Sequence, residues 1–185
     1  MKRFMILAAL AAMAVSVWAQ KPLEFSTVIK QDGLDANALY EATRNWFVES
    51  FNDSKAVIRD DNPGKQITGK GTIEFSVGNM VYLSINGYIE FLIDAQFRDG
   101  RLKLTMRNFD HKAEQPAMYN NNMGILVDSL PKNLEDIGIK GANRKSAYKY
   151  YYKNAKPECE ETFKKVVDSL TEFLANRKVQ EEEEW

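Results

Sequence analysis

Residues 88–109 constrain this chain more than any other stretch, because they read as a β-hairpin closed by Asp99-Gly100. Ile89, Phe91, Ile93, Ala95 and Phe97 alternate with mostly polar neighbours before the turn, and Leu102, Leu104 and Met106 do so after it with the parity reversed. Two strands sharing one buried face produce that pattern. An Asp-Gly loop supplies the positive φ angles of a type I′ turn. The register then predicts Phe97 opposite Leu102, Ala95 opposite Leu104 and Ile93 opposite Met106. A half-buried antiparallel sheet needs a cover for its apolar face, and one amphipathic helical pattern before the hairpin and another after it can supply it.

At 185 residues and 44% hydrophobic, the chain is long enough for one well-cored domain and short for two. A net charge of -1 gives no global field to attract nucleic acid or an anionic membrane. Residues 1–19 read as a signal peptide: Lys2 and Arg3 precede an apolar run over 4–15, and Val17-Trp18-Ala19 suits cleavage after Ala19. An uncleaved anchor is the alternative. No Cys follows the cleavage site, which argues against a lipoprotein, and no later apolar run approaches the roughly 20 residues of a membrane span. The mature chain is expected to be periplasmic or secreted. Cys159 is the single cysteine, so the core and not a disulfide framework must stabilise the fold. Its helical stripe with Phe163, Val166 and Leu170 favours a small buried hydrophobe over an intermolecular disulfide or a reactive thiol.

Residues 23–29 predict a first strand. A helix follows with Asp35 as N-cap, Leu34 and Leu39 as a hydrophobic staple, and Leu39, Ala42, Thr43, Trp46 and Phe47 on one face. A short strand over 56–60, a turn at Asp61-Asn62-Pro63-Gly64 and a longer strand over 67–77 come next. Gly69 and Gly71 lie on that strand's apolar face and leave room for a large ring, expected to be Trp46 or Phe47. Alternation through Val81, Leu83 and Ile85 predicts another strand, either broken at Asn86-Gly87 or continuous with the hairpin. Residues 113–156 read as an irregular connector that ends in a mixture of lysines and tyrosines. A last helix is predicted over 157–178, and an acidic tail occupies 179–185.

Trp46-Phe47, Ser50-Phe51, Ser54-Lys55-Ala56-Val57-Ile58, Asp60-Asp61, Gly69-Lys70-Gly71-Thr72-Ile73 and Asp99-Gly100-Arg101-Leu102 resemble the bacterial family called domain of unknown function 4468. The match covers roughly 23–111, within a core domain set at 20–112. The resemblance implies a TATA-binding-protein-like fold and a small exported protein of Gram-negative bacteria. It implies no activity and carries over no functional residue.

Chemistry leaves few candidates. The segment 64–70 has the glycine and lysine spacing of a phosphate loop, but Gly71 stands where Ser or Thr belongs and a strand follows where a helix must begin. His111 is the only histidine, which removes most triads and multi-histidine metal sites, and its place at the hairpin's end predicts a solvated strand terminus. Asp60 and Asp61 point to opposite faces of an extended chain and read as turn residues. The lysines and tyrosines of 144–156 have the composition of a nucleic-acid surface. An amphipathic segment with tyrosines packed and lysines in water is preferred, and no nucleic-acid partner is expected.

The expected fold is α+β, a curved, mainly antiparallel sheet of five strands with both helices on its apolar face. The expected function is a non-enzymatic, exported binding or interaction module of the envelope, with no catalytic residue, cofactor or metal. Its partner is an unknown protein, glycan or small apolar ligand. Tyr82, Tyr88, Lys149 and Tyr150 are candidate partner-surface residues, and Trp46, Phe47, Gly69 and Gly71 are candidate ligand or packing contacts. The alternatives are a carrier of a small apolar ligand held between helices and sheet, and a hydrolase.

Overall fold

The computed structural model describes residues 20–50, 58–114 and 121–183, with side chains to residue 176. The signal segment 1–19 and the start of the strand expected at 56–60 lie outside the described residues. The chain runs β1 (Glu24–Lys30), α1 (Ala36–Ser50), β2 (Ile58–Asn62), β3 (Gln66–Phe75), a 3-10 turn (Met80–Ile85), β4 (Gly87–Arg98), β5 (Arg101–Ala113), β6 (Gly124–Ile125), a second 3-10 turn (Leu134–Ile137) and α2 (Ala142–Glu183). The strands form one antiparallel sheet in the order β1-β5-β4-β3-β2, with β6 also on β5. It is an α+β fold, with one more, very short, strand than expected.

The hairpin register is as predicted: Phe97 opposes Leu102, Ala95 opposes Leu104 and Ile93 opposes Met106. The turn type differs. Gly100 has φ 73°, but Asp99 is not among the positive-φ residues, and negative followed by positive is the sign pattern of a type II turn. Its surroundings supply the reason. The Ala36 N–H donates to Asp99 Oδ1 at 2.9 Å and the Gly100 N–H to the Leu34 carbonyl at 2.8 Å, so the turn is docked on the start of α1. Asp35 caps the same helix by accepting from the Ala38 N–H at 2.8 Å, as expected of an N-cap.

Asn108, at φ 65°, interrupts β5. Glu90 opposes Asp110 while Leu92 opposes Arg107, so two β5 residues face Phe91 alone, which is a β-bulge. Asn tolerates the left-handed conformation better than most residues. The extra residue reverses the parity of everything after it: Leu102, Leu104 and Met106 point into the core before the bulge, and Phe109, His111 and Ala113 after it. His111 is therefore fully buried, not solvated.

Two further expectations are corrected. Residues 80–85 form a 3-10 turn and not a strand, because asparagines bracket them. Asn79 accepts from the Val81 N–H at 3.0 Å through its side chain, and Asn86 Oδ1 accepts from the Val77 N–H at 2.8 Å. Of the apolar alternation only Ile85 is buried, and β4 begins afresh at Gly87. The last helix begins at Ala142 and not at Pro157, which lies inside it. Proline within a helix costs roughly 3 kcal/mol by removing a donor and crowding the carbonyl four residues back. Here a stripe through Tyr148, Tyr151, Ala155, Cys159, Leu170 and Leu174 runs buried across that position and offsets the cost by packing. The lysine and tyrosine mixture is thus the first half of α2, with Tyr148 and Tyr151 buried and Lys149 and Lys153 exposed.

Candidate interaction groove

The first half of α2 lies beside the 3-10 turn, and a groove of about 870 Å³ separates them. Val81, Tyr82, Met123, Asn143 and Ala147 contribute to its walls. Tyr82 stacks on Tyr150 with ring centres 4.2 Å apart, and its hydroxyl lies 2.9 Å from Ser146 Oγ, which joins the turn to the helix. Beyond this clasp Met80, Val81 and Leu83 are 85%, 78% and 47% exposed. Side chains of that size are usually turned inward, so three on one turn form an apolar patch worth explaining.

His111 holds the turn in place. The Met123 N–H donates to Nδ1 at 3.0 Å, so Nε2 carries the proton and donates to the Ile85 carbonyl at 2.8 Å. The ring also packs against Phe75 and Tyr151. Burial pushes its pKa below the ordinary imidazole value, although the Ile85 carbonyl opposes that shift. With both nitrogens engaged, the one histidine serves as a rivet between β5, the 3-10 turn and the approach to β6.

The structure brings only part of the expected partner surface together. Tyr82 and Tyr150 meet, and Lys149 is exposed beside Tyr150 on α2. Tyr88 sits apart on the opposite face of the sheet, between Glu74 on β3 and Lys112 on β5. Tyr82, expected within a strand, lies on the 3-10 turn instead. The outer face around Tyr88 is dominated by paired charges: Lys70 with Glu90, Lys112 with Asp110, and Arg107 with Asp94. Thr68 Oγ1 adds a hydrogen bond to Asp94 at 2.7 Å. The bond to Asp94 raises the pKa of Arg107. Such local neutralisation, across strands for two pairs and along β5 for the third, leaves no broad cationic field there for a polyanion.

The candidate ligand or packing contacts Trp46, Phe47, Gly69 and Gly71 are all buried. Trp46 and Phe47 are buried, meet edge to face at 5.0 Å, and Trp46 Nε1 donates to Ser169 Oγ on α2 at 3.0 Å. The ring over Gly71 belongs to neither. A Cβ added to Gly71 would lie 2.4 Å from the ring of Phe91, its cross-strand partner. Gly69 pairs with Ile58 on one side and Ile93 on the other. Asp61 accepts from the Tyr40 hydroxyl at 2.6 Å and from Arg44 Nε at 3.3 Å, tying the end of β2 to α1. Among the described residues no three His, Cys, Asp or Glu side chains cluster to hold a metal ion. No described helix is long and apolar enough to cross a membrane.

Cys159 is free and fully buried, and burial pushes its thiol pKa up to about 12. The thiolate is the reactive species. Iodoacetamide at pH 8 is accordingly expected to leave the native thiol unmodified and to label it fully in denaturant, read by intact mass; comparable labelling of the native protein would contradict this packing.

Sequence reasoning missed Val81 and Leu83, read as one face of a strand, as surface residues, and His111 as a core residue. The asparagines at 79 and 86 were the available signal for the turn.

Residues 25–112 match the family model described as domain of unknown function (DUF4468) with TBP-like fold. That stretch is a DUF4468 domain. Its span agrees closely with the resemblance read over 23–111, and α2 and the groove's helical wall lie beyond it. A DUF4468 family protein from Bacteroides ovatus superimposes with a TM-score of 0.52 at 12% identity, covering 80% of this chain and 86% of that one. A TBP-like protein from Parabacteroides distasonis gives 0.49 at 12% identity, over 80% and 92% of the respective chains. At such identity the Bacteroides likeness establishes the fold alone. No curated protein matches this chain.

Proposed function

We propose that this chain is a non-enzymatic, exported binding module of the bacterial envelope, and that its partner is a protein that buries apolar side chains on the 3-10 turn and in the adjoining groove. The observation that carries this reading is the exposure of Met80, Val81 and Leu83 on a turn held by Asn79, Asn86 and His111. A patch held in its bound shape loses little freedom on docking, which favours affinity. The charged start, apolar run and small residue at position 19 support export. Engagement of both His111 nitrogens and burial of the Cys159 thiol support a non-catalytic role, since the single histidine and single cysteine both serve the core. The carrier reading has less support, because Phe91 fills the space above Gly71, one of the four candidate ligand or packing contacts.

A photo-crosslinking amino acid at position 81, in the chain expressed with its leader in a Gram-negative host, tests the reading. Position 81 is expected to give a discrete protein adduct, identified by mass, that Met80→Ser with Leu83→Ser abolishes without lowering Tm. No adduct, or the same adduct from the exposed position of Lys132, would overturn it.

A further inference from the structure

β1 ends the sheet. Among the described residues it pairs only with β5 over Glu24–Lys30, and no strand occupies its other edge. The Gln31 N–H donates to the directly opposed Gly100 carbonyl at 2.9 Å, so strand alternation turns the backbone groups of Phe25, Thr27 and Ile29 toward β5. Those of Glu24, Ser26, Val28 and Lys30 point to the open edge. An exposed edge of this kind is a template for another strand, and proteins commonly blunt or cover it.

A second feature lies on the same margin. Lys30 opposes Arg101, and Arg101 opposes Arg98, so three cations stand in one row on the outer face. None of them has an ion-pair partner among the described residues. Like charges directly opposite one another across strands repel, and the row lacks an anion at its open end.

We propose that β1 of a second copy closes this edge, antiparallel, about a two-fold axis through Thr27. In that register Glu24 of each copy faces Lys30 of the other, Phe25 faces Ile29, Ser26 faces Val28, and Thr27 faces itself. Every outward N–H and C=O of the four edge residues meets an outward partner, and Glu24 completes the other copy's cationic row. Neighbouring registers are worse. An axis through Val28 sets Glu24 against Asp32, and one through Ser26 sets Lys30 against Pro22, which has no N–H to donate. An axis between residues pairs outward groups with inward ones. On the helix side, Phe25 stacks on the half-buried Phe163 of α2 at 5.5 Å, leaving apolar surface beside the joint for the second copy to cover. The interface is isologous and closed, so it stops at a dimer with one continuous sheet. It shares no residue with the groove.

Sedimentation equilibrium and native mass spectrometry of residues 20–185 test this. The wild-type chain is expected to be a dimer at tens of micromolar concentration. Glu24→Lys and Lys30→Glu each place like charges across the joint and are expected to weaken association at least tenfold, and the two together to restore it. Thr27→Cys sits at a non-hydrogen-bonded pair, where opposed Cα atoms lie roughly 4.5 Å apart, and is expected to form an interchain disulfide on mild oxidation. A wild-type monomer overturns the proposal. So does a dimer indifferent to the charge swaps and uncrosslinked by Thr27→Cys, which would join through another surface. Far-UV circular dichroism of each variant confirms that it is folded.

Discussion

Phe91→Ala is expected to lower unfolding stability by about 3–5 kcal/mol in urea titrations, the range for removing a buried aromatic side chain. The ring is nearly inaccessible, sits 5.7 Å from Phe109, and fills the space that Gly71 leaves open on β3. A side chain at position 71 and the ring at position 91 therefore compete for one volume. Gly71→Val alone forces the ring aside in a packed core and is expected to cost about 1–3 kcal/mol. The coupled prediction is sharper. With Phe91→Ala already present, Gly71→Val refills part of the cavity, so the double variant should be more stable than the sum of the single losses by at least about 1 kcal/mol. Strict additivity would mean that the two positions do not share space, and the account of the glycine-bearing strand would fall.

The second large effect is on pH dependence. Tyr148 and Tyr151 are buried, and neither hydroxyl has a hydrogen-bond partner among the described residues. Burial pushes the Tyr148 pKa up to about 12 and that of Tyr151 well above its ordinary value of 10.0. Tyr40 is also raised, to about 12, chiefly because its hydroxyl donates to Asp61. Above the unfolded-state value the unfolded chain releases these protons and the folded chain retains them. The unfolded state then binds fewer protons, so stability falls as pH rises. Each such group contributes a slope of about 1.4 kcal/mol per pH unit between its unfolded and folded values. Tyr148 and Tyr151 together should add roughly 3 kcal/mol per unit between about pH 10 and 12, on top of the same-signed contributions of Tyr40 and Cys159.

The acid side has the opposite sign. His111 has a depressed folded pKa, so below the unfolded-state value of 6.5 the unfolded chain takes up a proton that the folded chain refuses. Its contribution is therefore intact above that pH and declines as pH falls toward the folded value. Unfolding series at fixed pH, with Tyr148→Phe and Tyr151→Phe as controls, separate the effects. The two Phe variants should flatten the alkaline limb and leave the acid limb in place. An unchanged alkaline limb in the double variant would refute the assignment to these hydroxyls.

How much of this was legible beforehand depended on how local each signal was. Parity through Ile89, Phe91, Ile93, Ala95 and Phe97 announced a strand and its buried face, and Asp99-Gly100 set the partner's register correctly. The turn subtype was misread because Asp99 also serves α1, a contact made 63 residues away in sequence. The helix face through Leu39, Trp46 and Phe47 was legible from its spacing, and so was the Asp35 cap. In the candidate site the pairing of Tyr82 with Tyr150 joins residues from two elements whose form was misjudged: the turn was read as a strand, and the first half of α2 as a connector. Proline statistics placed the helix start at Pro157, whereas a continuous buried stripe carried the helix through it.

The sequence by itself determined the α+β class, the hairpin and its register, the face of α1 and the burial of Cys159. Each rests on a short-range period or on a residue whose chemistry narrows its setting. Tertiary structure alone decided that the Asn108 bulge turns His111 inward, that Phe91 covers Gly71, and that Met80, Val81 and Leu83 stay outside. One residue inserted opposite a neighbouring strand reverses every side chain after it, and that insertion exists only in the pairing between strands.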